Sequence, residues 1–488
     1  MEWYWILLLL LGAILLLMFA GLPVGMAFVI VCTITAYLIY GRFGSFDANL
    51  QASVFQLTDN AFNNLSIFAI VPIPMFLLMG ELFFHTGLAN RMFNAIERLL
   101  GRVPARLSYV TVAGGTALAT LSGSSMGATA LLGTLMVPEM AERGYKKSMS
   151  IGPILGTGGL AMLIPPSALA VLLGTIAEID IGRLLIAGIV PGLMLAVFYA
   201  VLIFVRVTLD PSAAPAYDVE PVSPWERVTL FGRDVLPMVS IIGMVVLLIM
   251  GGVATPSEAA AWGSVGVIVL AVGYLFIAPL LRALFAGGNG TPGAAERRRE
   301  ALHAAARFWP EFGAALWKSL WGAGRVTVIA LLILLGSSLF SNVLAATGAS
   351  VALIEWVTSF DVSGYVMLLM MFGILLLLGM FMDQLAMMLL TIPIFFPVLE
   401  TLNFGPELAA LSVKQVWFGV IMLLAMEISF TTPPFGLLLF VMQGVAPPGT
   451  KFSEICFAAI PFMMCAMALV ALIIIFPGIA VWLPWLGS

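Results

Sequence analysis

The sequence predicts an all-α integral membrane protein, with about ten transmembrane helices plus two re-entrant hairpins in an inverted-topology repeat. Three observations carry that expectation. Apolar residues make up 62% of the 488 and charged residues only 9%, against roughly 25% charged in soluble domains, so polar surface is too scarce to cover a water-soluble globule. Windows of about 20 apolar residues recur along the whole chain, the length that carries a helix across about 30 Å of hydrocarbon. The motifs of the first half then return, in order, in the second.

Spans are expected at roughly 3–20, 22–40, 65–85, 148–177, 184–206, 235–251, 258–281, 326–346, 415–444 and 456–484. They must be helical, because lipid offers backbone N–H and C=O groups no partner. The run from Trp3 follows Glu2 and no Lys or Arg, and reads as a retained first span rather than a signal peptide. Segments 107–140 and 364–400 carry polar interruptions near their middles, Ser122 to Ser125 and Asp383-Gln384. Each arm is left with about 14 to 18 residues, too short at about 1.5 Å per residue to cross the bilayer. Both read as re-entrant hairpins, allowed at membrane depth where protein or a water-filled cavity surrounds the tip.

Charge orients these elements. With the N-terminus outside, only Arg42, Arg183 and Lys414 of the 21 basic residues fall on the outer side, a strong positive-inside asymmetry. The net charge of −4 adds little, since orientation depends on where Lys and Arg sit. Part of the inner charge comes from residues 282–325, which contain GGNGTPGAAERRRE and then a segment expected to form an amphipathic helix. That stretch is expected to be a basic cytoplasmic insertion without a core of its own, its charge a solvated face that implies no nucleic-acid partner.

The internal repeat is legible in pairs. Thr86-Gly87 returns as Thr347-Gly348, and the tip beginning at Ser122 answers Asp383 at the same offset. Pro138 answers Pro397, Ile164 to Ser167 (IPPS) answers Thr431 to Pro434 (TTPP), and IVPGL around Pro191 answers AIPFM around Pro461. The domains expected are a first inverted repeat over 1–207 with its hairpin at 107–140, a cytoplasmic linker over 208–234, and a second repeat over 235–488 with its hairpin at 364–400. One hairpin starts inside and the other outside, so the topology is inverted. Inverted repeats with helices broken at corresponding places point to a secondary transporter with its site near the midplane. At Gly156 to Gly159 and Pro165-Pro166, and again around Ser429 to Pro434, Gly and Pro remove helical bonds and free carbonyls at depth. Such carbonyls and hydroxyls are hard oxygen donors suited to an alkali cation. Half-helix N-termini suit an anionic group. Two tips facing two breaks suggest two cation sites flanking one substrate site.

Enzymatic readings fare worse. Gly123 to Gly127 fits G-x-S-x-G, but a nucleophile elbow needs a strand, a turn and a downstream acid and histidine, and the two histidines, His85 and His303, form no recognisable triad. No G-x-x-x-x-G-K-[ST] phosphate loop occurs, so a primary pump lacks its signature. Cys32, Cys456 and Cys465 lie in or beside apolar runs and suggest neither a disulfide framework nor a metal site. A non-enzymatic protein without an organic cofactor is expected.

The stretches LSGSSMGATALLGTLMVPEMAERGY, IPPSALAVLLG, TPSEAAAWGSV, LLGMFMDQLAMMLLTIPIFFPVL and FTTPPFGLLLFVMQGV together resemble the large membrane (M, DctM-like) subunit of tripartite ATP-independent periplasmic (TRAP) transporters. The likeness runs from about residue 3 to 480, apart from 282–325. It implies an elevator-type fold of the ion transporter superfamily and sodium-coupled import of an organic acid across the bacterial inner membrane. It also implies two partners, a periplasmic substrate-binding protein and a small four-helix membrane subunit carried on a separate chain. A sodium- or proton-coupled carboxylate carrier of the same superfamily, working without a binding protein, is the alternative.

By that resemblance, one sodium site draws on Ser122, Ser124 and Ser125 with carbonyls near Gly158 and Gly159. The other draws on Asp383, Thr431 and Thr432, and substrate lies near Ser125, Ser167, Gln384 and Pro433. Glu427 and the sequence FTTPPFG depart from the expected pattern. Asp383 and Glu427 are ionisable groups inside predicted membrane segments, which makes both functional candidates, whereas Glu81 is expected to reach the membrane interface. LANRMFNAIERLLG (88–101) and ASVALIEWVTSF (349–360) have helical apolar spacing but are too short to span. They are read as surface arms linking a scaffold to a moving domain.

Overall fold

The computed structural model describes the chain apart from residues 1–2, 41–50, 52–53, 56, 60, 63–65, 67–69, 102, 123–124, 217–222, 286–293, 360–361, 381, 434–435, 448 and 487–488, and from the side chains of 19, 39–40, 121–122, 282–285, 294–305 and 357–358. Arg42, Arg102, Ser124 and Pro434, with the side chains of Ser122 and His303, therefore lie outside the described residues. Every regular element among the described residues is helical.

In chain order the main helices are α1 (Trp3–Phe19), α2 (Val24–Tyr40), α3 (Pro72–His85), α4 (Leu88–Leu100), α5 (Arg106–Ser122), α6 (Ser125–Glu142), α7 (Lys147–Gly159) and α8 (Ala168–Ile176). Next come α9 (Ile181–Leu209), α10 (Pro224–Met250), α11 (Pro256–Leu281) and α12 (Ala294–Ala346). The rest are α13 (Ala349–Thr358), α14 (Gly364–Leu378), α15 (Gln384–Thr401), α16 (Leu411–Thr431), α17 (Leu437–Val445) and α18 (Phe452–Ile475).

Among the described residues, seven helices are long and apolar enough to cross a membrane, or eight if the bent pair α3–α4 is one span. The sequence suggested about ten, and the difference has a physical cause. α1 and α2 have 17 residues each, about 25 Å at about 1.5 Å per residue, and 148–177 is divided between α7 and α8. Residues 415–444 are likewise divided between α16 and α17.

Two stretches expected as linker and insertion carry helix. The second half of the linker 208–234 is helical and continuous with the next span. Ser223 caps its start by accepting from Glu226 N at 3.2 Å, and Pro224 occupies the first turn, the arrangement that starts helices well. Within 282–325, the expected cytoplasmic insertion, the described chain is helical. From Ala294 the chain runs as one 53-residue helix through Ala346, favoured by a segment rich in Ala, Glu, Arg and Leu. Phe308, Ala315, Ser319 and Ala323 are buried along it, and Phe308 meets Phe276 of α11 with ring centroids 5.3 Å apart. From Phe308 on, this helix shares the protein's packing.

Matching elements exchange partners between the two halves of the chain. α3 and α12 pack on each other, with α2 against α12 and α11 against α3. These contacts are close because small residues sit at them. A Cβ at Gly25 would stand 2.7 Å from Leu332 Cγ, and one at Gly263 would overlap Met79 Sδ. Around the site, α18 packs on α7 and the start of α9 on α16. α6 meets α17, and α15 meets α8. α7 from Met149 and α16 from Trp417 are buried at every residue to their ends. A helix apolar on all sides belongs at the centre.

Each arm helix begins at a glycine in the left-handed region, Gly87 at φ 77° and Gly348 at φ 72°, a conformation that costs glycine little. Thr86 and Thr347 precede them, and each donates its hydroxyl four residues back, to Leu82 O at 2.7 Å and Val343 O at 2.8 Å. α3 and α4 meet at 65°. For the inverted topology we expect a cysteine at Gly144 to react only with reagent applied from the cytoplasmic side and one at Asn403 only from the periplasmic side, both positions being exposed. Labelling of Asn403→Cys from the cytoplasm would refute the inversion.

Candidate functional site

The first break follows from its sequence. α7 ends in Gly156-Thr157-Gly158-Gly159, passes through a single 3-10 turn over Leu160–Met162, and meets Pro165 and Pro166. The two prolines have no N–H, so Ala161 and Met162 receive no helical bond from four residues on. The chain becomes helical again where Ser167, fully buried, accepts from Ala170 N at 3.2 Å. At the second break, Thr432 is extended and Gly436 N donates to Thr432 O at 3.0 Å before α17 begins. Thr431 Oγ1 and Thr432 Oγ1 donate to Ile428 O at 3.0 and 2.6 Å, which leaves their oxygens as acceptors.

Both hairpin tips press on these breaks. In the first, Ser125 opens α6 and Thr129 lies one turn further along the same face. A Cβ on Gly158 would overlap Thr129 Oγ1 and come within 3.3 Å of Ser125 O. Ser125 Oγ and Thr129 Oγ1 are buried and lack a hydrogen-bond partner among the described residues, an arrangement that costs about 1–3 kcal/mol per group when nothing fills it. In the second, Asp383 caps α15, its Oδ1 accepting from Ala386 N at 2.8 Å. Buried Gln384 points Nε2 at Met162 Sδ, 3.5 Å away in the first break. Gly379, at the other end of this tip, closes on the second break, where a Cβ would overlap Ser429 Oγ. The second tip therefore touches both breaks.

The predicted residues are gathered unevenly. Ser125 and Gly158 adjoin directly, and Gly159 packs against Glu427 rather than against the first tip. Asp383, Thr431 and Thr432 make only local bonds and a 3.4 Å contact from Thr432 to Met463 Sδ, with no hydrogen bond joining the three among the described residues. Ser167, Gln384 and Pro433 are likewise not bonded to one another there, and Pro433 is half-buried. Sequence reasoning missed Thr129 and Tyr199. Spacing of four residues from Ser125 was the available signal for Thr129, whereas only the tertiary fold brings Tyr199 to Glu427. Glu81, expected at the interface, pairs with His85 at 3.1 Å and lines a cavity of about 130 Å³ with Gly127 and Ala128 of the first hairpin.

The family described as Tripartite ATP-independent periplasmic transporter, DctM component, matches residues 11–479. The chain belongs to this family. The C4-dicarboxylate TRAP transporter large permease protein DctM of Pseudomonas aeruginosa is 30% identical over 438 residues, 89% of this chain and 91% of that one. An ectoine TRAP transporter large permease protein, TeaC of Halomonas elongata, is 24% identical and matches 96% of each chain. The isethionate TRAP transporter permease protein DctMQ of Oleidesulfovibrio alaskensis is 25% identical over 86% of this chain and 58% of that one. Among solved structures, the Alcanivorax borkumensis YdaH transporter superposes with a TM-score of 0.55 at 12% identity, over 94% of this chain and 99% of that one, a likeness of fold. This TRAP large permease is thus a multi-pass membrane protein whose relatives are named as transporters of different substrates.

Proposed function

We propose that this TRAP permease carries an organic acid inward across the bacterial inner membrane, driven by sodium. A periplasmic binding protein delivers the acid, and a separate small four-helix membrane subunit completes the complex. The observation that carries the reading is the pair of buried hydroxyls, Ser125 Oγ and Thr129 Oγ1, unpartnered among the described residues and closed over Gly158 at the end of a broken helix. Oxygens left without donors in a buried site fit a hard cation, and sodium supplies a positive charge there when bound. Ser125, Thr129 and the backbone near Gly158 would hold it, with Ser122 and Ser124 completing the tip. Asp383, with Thr431 and Thr432 as oxygen donors, serves the second tip.

Between the tips, Gln384, Ser125 and Ser167 offer polar contacts to the acid, and Pro433 closes the wall. The N-terminus of α8 supplies partial positive charge where the site has no Lys or Arg. The glycine joints at Gly87 and Gly348 let the arms bend while the hairpins and breaks move as a unit. No organic cofactor takes part.

Reconstituted with the small subunit and its matching binding protein, the permease is expected to accumulate substrate only under an inward sodium gradient. Unchanged uptake in sodium-free buffer under a proton gradient would overturn the coupling. Full uptake without the binding protein would instead make this a self-sufficient carrier.

A further inference from the structure

We propose that the cavity between the first arm helix and the scaffold helices α10 and α11 holds the headgroup of an anionic phospholipid, its phosphate bound by Arg98 on the arm and Arg227 on α10. The cavity measures about 340 Å³, with Arg91, Asn94, Arg98 and Asp234 as its polar lining and Leu230 and Leu275 in its apolar wall. Sites for small ligands span about 300–1,000 Å³. Arg91 is already engaged, its Nε donating to Asp234 Oδ1 at 2.6 Å and its guanidinium lying 4.3 Å over the Tyr274 ring. Arg98 is exposed, and the adjacent Glu97 is held by Arg106 at 3.4 Å. Arg227, one turn before Leu230, reaches the end of the arm, where its Nη2 stands 3.2 Å from the place of a Cβ on Gly101. Neither Arg98 nor Arg227 has an ion-pair partner among the described residues.

The surroundings favour a lipid over a soluble anion. The cavity lies at the end of the protein where most of the Lys and Arg gather, the cytoplasmic side by the charge asymmetry. The inner leaflet carries the anionic lipids, and basic pockets between helices on that side take their headgroups. Beside the two guanidinium groups, α10 exposes Trp225, Val228 and Phe231 at 79%, 64% and 47%. Acyl chains would cover that apolar surface, and tryptophan sits readily at headgroup depth. The planar fork of donors on each arginine matches a pair of phosphate oxygens. Gly87, the left-handed joint at which the arm turns from α3, also lines the cavity, so a bound headgroup ties the arm to α10 at the place where it bends.

Native mass spectrometry of the purified permease titrated with phosphatidylglycerol reads the dissociation constant of the first lipid bound. The first lipid is expected to bind tighter than those that follow. Arg98→Gln combined with Arg227→Gln should weaken it roughly tenfold or more, from the loss of two cations at the membrane surface. Arg307→Gln combined with Lys318→Gln removes two exposed charges of α12 on the same side and should leave that constant unchanged. Wild-type binding in the Arg98 and Arg227 pair, or an equal loss in both pairs, overturns the site. If the double variant does not fold, Arg98→Gln alone decides, with a loss of about three- to fivefold expected and an unchanged constant overturning the site. Inorganic phosphate and glycerol phosphate should fail to displace the lipid at matched concentration. Displacement by either would assign the cavity to a soluble phosphate compound and overturn the lipid. Loss of the tightly held lipid when the small membrane subunit is added would give this face to a protein partner and overturn it as well.

Discussion

A valine at Gly159 is expected to cut sodium-driven uptake at least about tenfold and to lower the melting temperature of the purified permease. Any Cβ there would overlap Cγ, Cδ and Oε1 of Glu427. Glu427 cannot retreat, because α16 is buried at every residue from Trp417 to Thr431. Forcing extra carbon into such packing costs about 1–3 kcal/mol, and here it also separates the two breaks on which the site depends. Gly243→Val is the control, since nothing lies within 4 Å of a Cβ at that position, and it should leave both measurements unchanged. Wild-type melting and uptake in Gly159→Val would mean that the breaks do not meet as described.

Asp383→Ala is expected to abolish uptake, and comparison with Asp383→Asn divides the cause. Alanine removes the cap on α15, worth about 1 kcal/mol, together with the carboxylate. Asparagine also caps helices well, so it keeps the bond now accepted from Ala386 N at 2.8 Å and removes only the charge. Melting temperature should therefore fall in Asp383→Ala and recover in Asp383→Asn. Uptake at limiting sodium should stay at least about tenfold down in both, because the lost charge stood at membrane depth beside the proposed cation. Wild-type sodium dependence in Asp383→Asn would remove Asp383 from the ion site and leave it a structural cap.

The helix breaks were legible because membrane helices punish irregularity. Glycine and proline clusters such as Gly156 to Gly159 and Pro165-Pro166 stand out against apolar runs, since each frees backbone groups that need partners at depth. Helix boundaries were less legible. Residues 282–325 read as a cytoplasmic insertion with an amphipathic helix, and only the structure shows that this helix runs without a break into the next span and meets Phe276. Ser223-Pro224 was a start signal visible in the sequence, obscured by the polar residues around it.

The amino-acid sequence by itself determined that this chain lives in a membrane and where its helices break, because hydropathy and chain geometry act locally. Which break meets which tip was decided only by the tertiary structure. The placing of Gln384 against Met162, Gly159 against Glu427 and Tyr199 beside the same carboxylate joins residues far apart in the chain. Such contacts depend on how buried helices pack across the two halves of the chain, and periodicity along one helix carries no information about the helix that will face it.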